Sequence, residues 1–95
     1  MKRLMDLRIV QTSEACPEQY DVFFGASQVQ VGYLRLRHGH FTVRCPDVTG
    51  KIIYEACPDG DGEFMDIERS RYLGTALLEI WEWVKLYDIP EKVAK

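Results

Sequence analysis

The chain has no long apolar run. Nowhere do ~18 consecutive apolar residues occur, the length a membrane-spanning helix needs, and the mean hydropathy is -0.23. There is no Cys-x-x-Cys pair, which excludes the common zinc-ribbon spacings. There is no P-loop, no glycine-rich dinucleotide fingerprint and no Ser-His-Asp order. Basic residues do not dominate: Lys and Arg number 12 against 15 Asp and Glu, for a net charge of -3. A general nucleic-acid binder usually has a basic domain pI, whereas this one is about 5.3. Cysteine is scarce and odd in number, at three. The first residues meet charges at once (Lys2, Arg3, Asp6), so a cytoplasmic chain with reduced thiols and no membrane partner is expected. Its 95 residues suit one domain, 1–95, whose core needs no metal or disulfide but has little margin.

What is present is a two-faced ribbon. Residues 32–44 read Gly-Tyr-Leu-Arg-Leu-Arg-His-Gly-His-Phe-Thr-Val-Arg, a β-hairpin turning at His38-Gly39. Pairing Arg37 with His40 sets Leu36 opposite Phe41 and Leu34 opposite Val43 on one apolar face. The other face carries Tyr33, Arg35, Arg37, His40, Thr42 and Arg44. Upstream, residues 4–12 read as a first strand and 20–24 as a second, with a turn over 25–28. Pairing Phe24 with Val29 places Val22 opposite Val31 and Tyr20 opposite Tyr33. The third strand then changes phase, from Val29, Val31 and Tyr33 to Leu34 and Leu36. Strand periodicity is strictly two, so a β-bulge or sharp twist near Gly32 or Tyr33 is required.

Downstream, the turn at 47–50 leads to a strand over Lys51–Ala56. Cys57-Pro58-Asp59 echoes Cys45-Pro46-Asp47, with glycine and apolar residues at matching offsets. The echo predicts a second turn and a short extended piece at 63–65. A helix follows, capped by Asp66 or Ser70 and favoured by Glu68 near its positive end. Leu73, Leu77, Ile80, Val84 and Tyr87 recur at helical spacing, widened by Ala76 and Trp83. Arg71, Thr75, Glu79 and Glu82 mark the wet side, and Pro90 stops the helix. Trp81 and Trp83 flank the core stripe, where they either cap the sheet or extend into an interface. The fold class is therefore α+β: a single antiparallel β-meander of about five strands with one long C-terminal α-helix packed on one face.

Four patterns suggest chemistry. Tyr33, Arg35, Arg37, His40 and Arg44 form a basic ribbon suited to anions or to a protein partner, and equally to a solvated face paired with Asp21 or Glu55. The acidic stretch 59–68 resembles the later part of an EF-hand calcium loop. That resemblance implies Asp59, Asp61 and Glu68 as metal ligands, although Cys57 stands at the opening position. A Gly/Asp turn running into an acidic helix start explains the same residues. Each cysteine precedes a proline and an acid, as in regulatory haem-binding motifs; a small buried apolar side chain at a strand end is the plainer account. His38 and His40 could move protons, but no acid or nucleophile is placed beside them.

Arg71-Tyr72-Leu73-Gly74-Thr75-Ala76 resembles the acetyl-CoA-binding motif of the GNAT acetyltransferases, with Gly32-Tyr33-Leu34 upstream. The resemblance implies cofactor contacts at Arg71, Gly74 and Ala76, through backbone amides at a helix start. The alternative is that Gly74 lets the helix approach the sheet closely. The run 32–39, the Gly60-Asp61-Gly62-x-Phe64 turn and Glu68-Arg69-x-x-Tyr72-Leu73 together resemble a family of small uncharacterised bacterial and phage-associated proteins. That likeness implies one domain but no activity. The expected function is that of a small soluble non-enzymatic binding module without a cofactor. It would act by protein–protein interaction or self-association through the exposed sheet face. The alternatives are a truncated GNAT-like acyl-CoA-binding domain, or anion or nucleic-acid binding through Arg35, Arg37 and Arg44.

Overall fold

The turn at His38-Gly39 sets the sheet. Both residues have positive φ, 53° and 72°, as the tightest hairpin turn requires. In the computed structural model, which describes residues 3–26 and 29–87, this turn joins β3 (Val29–Arg37) to β4 (His40–Cys45). Leu36 faces Phe41, Leu34 faces Val43 and Arg37 faces His40. With β1 (Leu7–Ser13), β2 (Glu18–Phe24) and β5 (Lys51–Ala56), the strands form one antiparallel sheet in the order β1-β2-β3-β4-β5. A single helix, α1 (Asp66–Leu86), covers one face. Leu34, Leu36, Phe41 and Val43 are fully buried beneath it with Ala76, Ile80 and Val84.

The phase change in β3 is resolved by a bulge. Phe24 pairs with Val29 and Phe23 with Gln30, but Val22 pairs with Gly32, leaving Val31 as the extra residue. Val31 is wholly buried. Tyr20 therefore faces Leu34, and Tyr33 faces Asp21. This corrects the expected pairs Val22–Val31 and Tyr20–Tyr33. Gly32 follows the bulge under the helix, where an added Cβ would lie 2.4 Å from Ile80 Cδ1. The close helix–sheet approach is thus at Gly32. At Gly74 a Cβ would meet nothing within 4 Å, so that glycine is not the point of contact.

Other expectations shift at their ends. The strand over 4–12 starts late: Leu4–Asp6 form a single 3₁₀ turn before β1. The Asp6 carboxylate accepts the Arg3 N–H at 3.1 Å and stabilises that turn. Both edge strands are bulged, β1 at Thr12 and β5 at Ile53. Residues 63–65 form no strand; the Phe64 and Met65 N–H groups go to the Glu18 and Glu68 carboxylates rather than to a neighbouring strand. Asp66 is the first residue of α1, not its cap. Met65 holds the cap position, and the Glu68 carboxylate accepts its N–H at 2.9 Å. Tyr87 is 60 % exposed rather than part of the core. Residues 27–28, in the expected turn, and the Pro90 stop with its tail lie outside the described residues.

Candidate functional site

Alternation along the strands sorts side chains between the helix-covered face and an outer face. Register places the outer residues in rows. One row holds Val10, Asp21, Tyr33, Arg44 and Ile52; the next holds Gln19, Arg35, Thr42 and Glu55; Arg37 and His40 close the hairpin end. The basic residues of this face are Arg8, Arg35, Arg37 and Arg44, and its acids are Asp21 and Glu55. Arg8 lies over the Phe23 ring at 5.1 Å. Arg44 Nη1 donates to the Gly50 carbonyl at 2.9 Å. His40 Nε2 meets Glu55 Oε1 at 2.6 Å, a solvent-exposed contact of a kind that contributes little to stability. The Tyr33 hydroxyl donates to Gln19 Oε1.

Arg35 and Arg37 form no ion pair or hydrogen bond through their side chains with any described residue. Between Arg35 and Glu55 sits Thr42, only 5 % exposed. Its Oγ1 is the sole buried side-chain polar atom without a hydrogen-bond partner among the described residues. At the other end of the face, Asp21, Gln30, Tyr33, Asp47, Val48 and Thr49 line a shallow polar hollow. Asp47 accepts the Thr49 hydroxyl at 2.6 Å and its N–H at 3.0 Å, and these bonds hold its carboxyl below the usual range. The structure thus brings together the residues expected of the ribbon: Tyr33, Arg35, Arg37, His40 and Arg44 share one surface.

The acidic stretch separates into anchors and exposed charges. Glu68 is 6 % exposed, and its carboxylate accepts the N–H groups of Asp59 (2.9 Å), Gly60 (2.8 Å) and Met65 (2.9 Å). Burial alone would raise its pKa, but these bonds outweigh it and hold the group ionised at lower pH than usual. Asp59, Asp61, Glu63 and Asp66 point to solvent. Asp59 and Asp61 do not converge with Glu68: among the described residues no group of three or more His, Cys, Asp or Glu side chains could hold a metal ion. Gly62 closes the loop against Cys16, since a Cβ there would lie 2.7 Å from Cys16 Sγ.

Beneath this loop lies a feature the sequence reading missed. Glu18 is completely buried. Its Oε1 accepts the Phe64 N–H at 2.8 Å, and its Oε2 accepts Arg69 Nε at 3.0 Å and the Tyr20 hydroxyl. Arg69 also donates to the Phe64 carbonyl at 3.0 Å and to Asp66 at 2.7 Å. Burial raises the Glu18 pKa, yet Arg69, Tyr20 and the Phe64 amide together bring it below the ordinary value. The Tyr20 hydroxyl is pushed up by burial and by the facing carboxylate. Every polar group of this network is satisfied, as a buried charge demands. The signal was present: Glu18 is in phase with Tyr20, Val22 and Phe24, so alternation alone puts a carboxylate on the core face.

The remaining candidates disperse. Arg71, Gly74 and Ala76 lie within α1, past its first turn, and Ala76 is fully buried. Amides at such positions bond to carbonyls of the preceding turn, so this stretch presents no free donors to a pyrophosphate. Cys45 is buried at the end of β4, where burial pushes its thiol up to about 12. Cys16 and Cys57 are exposed, contrary to the expectation of buried apolar cysteines. Trp81 packs against Phe24 at 6.4 Å and Trp83 against Tyr87 at 5.1 Å. No helix among the described residues is long and apolar enough to cross a membrane. Comparison with known proteins returns no match: no family model fits the chain, and no curated protein and no solved structure matches it.

Proposed function

We propose that the chain is a non-enzymatic binding module whose outer sheet face takes an anionic protein surface. The observation that carries this reading is the pair Arg35 and Arg37, whose guanidinium groups form no ion pair or hydrogen bond with any described residue. Unpaired guanidiniums on a sheet are ready forks for carboxylates. The Tyr33 ring, in the neighbouring row of the face, adds apolar contact area. The net charge of -3 favours a protein partner over a long polyanion, because remote acids repel an extended nucleic acid.

The test is fluorescence anisotropy with a labelled poly-glutamate peptide and, separately, a single-stranded oligothymidylate. The peptide should bind at low salt, weaken as salt rises, and weaken further with Arg35→Glu and Arg37→Glu combined. Tighter binding of the oligonucleotide, with the same arginine dependence, transfers the face to nucleic acid. Binding of neither probe removes the proposal.

A further inference from the structure

We infer that the outer sheet face is occupied by the acidic loop 59–66 of a second copy of this chain, in a head-to-tail contact. This rests on the proposed binding role of that face and names its partner. The two surfaces are complementary in charge. Asp59, Asp61 and Glu63 are exposed on the loop, Asp66 beside them being paired with Arg69, and Arg35 and Arg37 on the face lack partners among the described residues. The loop's acids do not reach these arginines within one molecule. Asp61 and Arg37 line the same small cleft with Cys16, His38 and Gly62, yet no ion pair joins them.

The loop is already ordered for docking. Its backbone is fastened inward by Glu68 and by Glu18. The Gly62 carbonyl accepts the N–H groups of Cys16 at 2.8 Å and Glu18 at 2.9 Å, and the Asp61 carbonyl accepts Gly39 N–H at 2.7 Å. Its carboxylates are thereby held outward, and little conformational freedom remains to be lost on binding. Met65 and Ile67, 54 % and 94 % exposed, give the loop an apolar rim. Val10 and Ile52, 36 % and 38 % exposed, stand at the two edges of the neighbouring row of the face. In the middle of the face the Thr42 hydroxyl, on a residue 5 % exposed, has no hydrogen-bond partner among the described residues. A two-fold face-to-face dimer is disfavoured, because it sets guanidiniums against guanidiniums. Loop and face are different surfaces, so the contact is heterologous and each copy offers one of each.

Sedimentation velocity over a concentration series tests this. The average mass should rise with concentration and fall back to the monomer in high salt. Arg35→Glu/Arg37→Glu and Asp61→Lys/Glu63→Lys should each remain monomeric. Mixed together, they should form a species of two chains and no larger one, since the mixture joins one intact loop to one intact face. Glu63→Lys alone, at an exposed side chain, should weaken assembly in the same direction. Assembly unaffected by the loop variants overturns the inference. A wild-type monomer at every concentration also overturns it: if that monomer still binds poly-glutamate, the binding role of the face survives, and if it does not, both fall.

Discussion

Replacing Glu18 by Gln is the sharpest test of what holds the acidic loop to the sheet. The carboxylate is wholly buried and receives the Phe64 amide, the Tyr20 hydroxyl and the Arg69 fork. Glutamine keeps one acceptor, which can serve Phe64. Its NH₂ can donate to the Tyr20 hydroxyl, but it also faces the Arg69 guanidinium, which has only donors and needs an acceptor. Removing one partner of a buried pair typically costs about 3–5 kcal/mol. Arg69 is 30 % exposed and keeps Asp66 and the Phe64 carbonyl, so the cost falls below that range, to about 2–3 kcal/mol. In a domain whose total stability is roughly 5–15 kcal/mol, that lowers the melting temperature by about 10–20 °C. Urea and thermal unfolding followed by circular dichroism measure it. Glu63→Gln, on the same loop but exposed, should stay within about 0.5 kcal/mol of wild type. Combining Glu18→Gln with Arg69→Met should cost less than the two separate losses by at least about 1 kcal/mol, since both remove one interaction.

Acid sensitivity follows from the same carboxylate. The folded pKa of Glu18 lies below its ordinary 4.5, so its contribution is complete above that pH. It fades as pH falls through 4.5 and on through the folded value. The stability gap between wild type and Glu18→Gln should therefore narrow over that interval. Glu68, also lowered, leaves the variant some acid sensitivity of its own. A loss under about 1 kcal/mol at neutral pH, or strict additivity with Arg69→Met, refutes the reasoning.

Gly32→Ala forces a methyl against Ile80 and should destabilise by about 1–3 kcal/mol, read as a lower urea midpoint. Gly74→Ala meets open space in a helix interior and should stabilise by about 0.5–1 kcal/mol in the same assay. With a thiol-reactive chromophore at mildly alkaline pH, Cys16 and Cys57 should react in the native state. Cys45 should react only on unfolding, and fast native labelling of all three cysteines contradicts its burial.

The hairpin was legible because two local rules agree on it. His38-Gly39 supplies the turn, and the alternation of Leu34, Leu36, Phe41 and Val43 supplies the register. The bulge was legible as a broken phase but not as a residue. Composition marks Gly32, whereas the extra residue is Val31, and only the position of Ile80 above the sheet explains why the glycine sits where it does. The 3₁₀ turn at Leu4–Asp6 was hidden, since its apolar content reads like a strand. The ribbon of arginines was legible from alternation alone. The Glu18–Arg69 network was not, because its partners stand far apart in sequence and meet only when α1 lies across the sheet. The roles of Glu68 misled for a related reason. The spacing of a calcium loop and the spacing of a carboxylate that binds three backbone amides look alike until the direction of the chain is known.

The edges of the sheet explain why a face rather than an edge is the surface to probe. β1 and β5 are both edge strands, with backbone groups open on one side. Each carries a bulge, at Thr12 and Ile53, which bends the strand and interrupts a continuous ladder with a second chain. Extension of the sheet by strand addition is thereby disfavoured at both ends. The inner face is filled by α1. What remains is the outer face, where Arg35 and Arg37 form no ion pair with any described residue. Straightening β5 by deleting Ile53 would separate the two modes. If assembly runs through the face, deletion leaves the salt-sensitive mass unchanged. If it runs through the edge, deletion strengthens association and removes its dependence on Arg35 and Arg37.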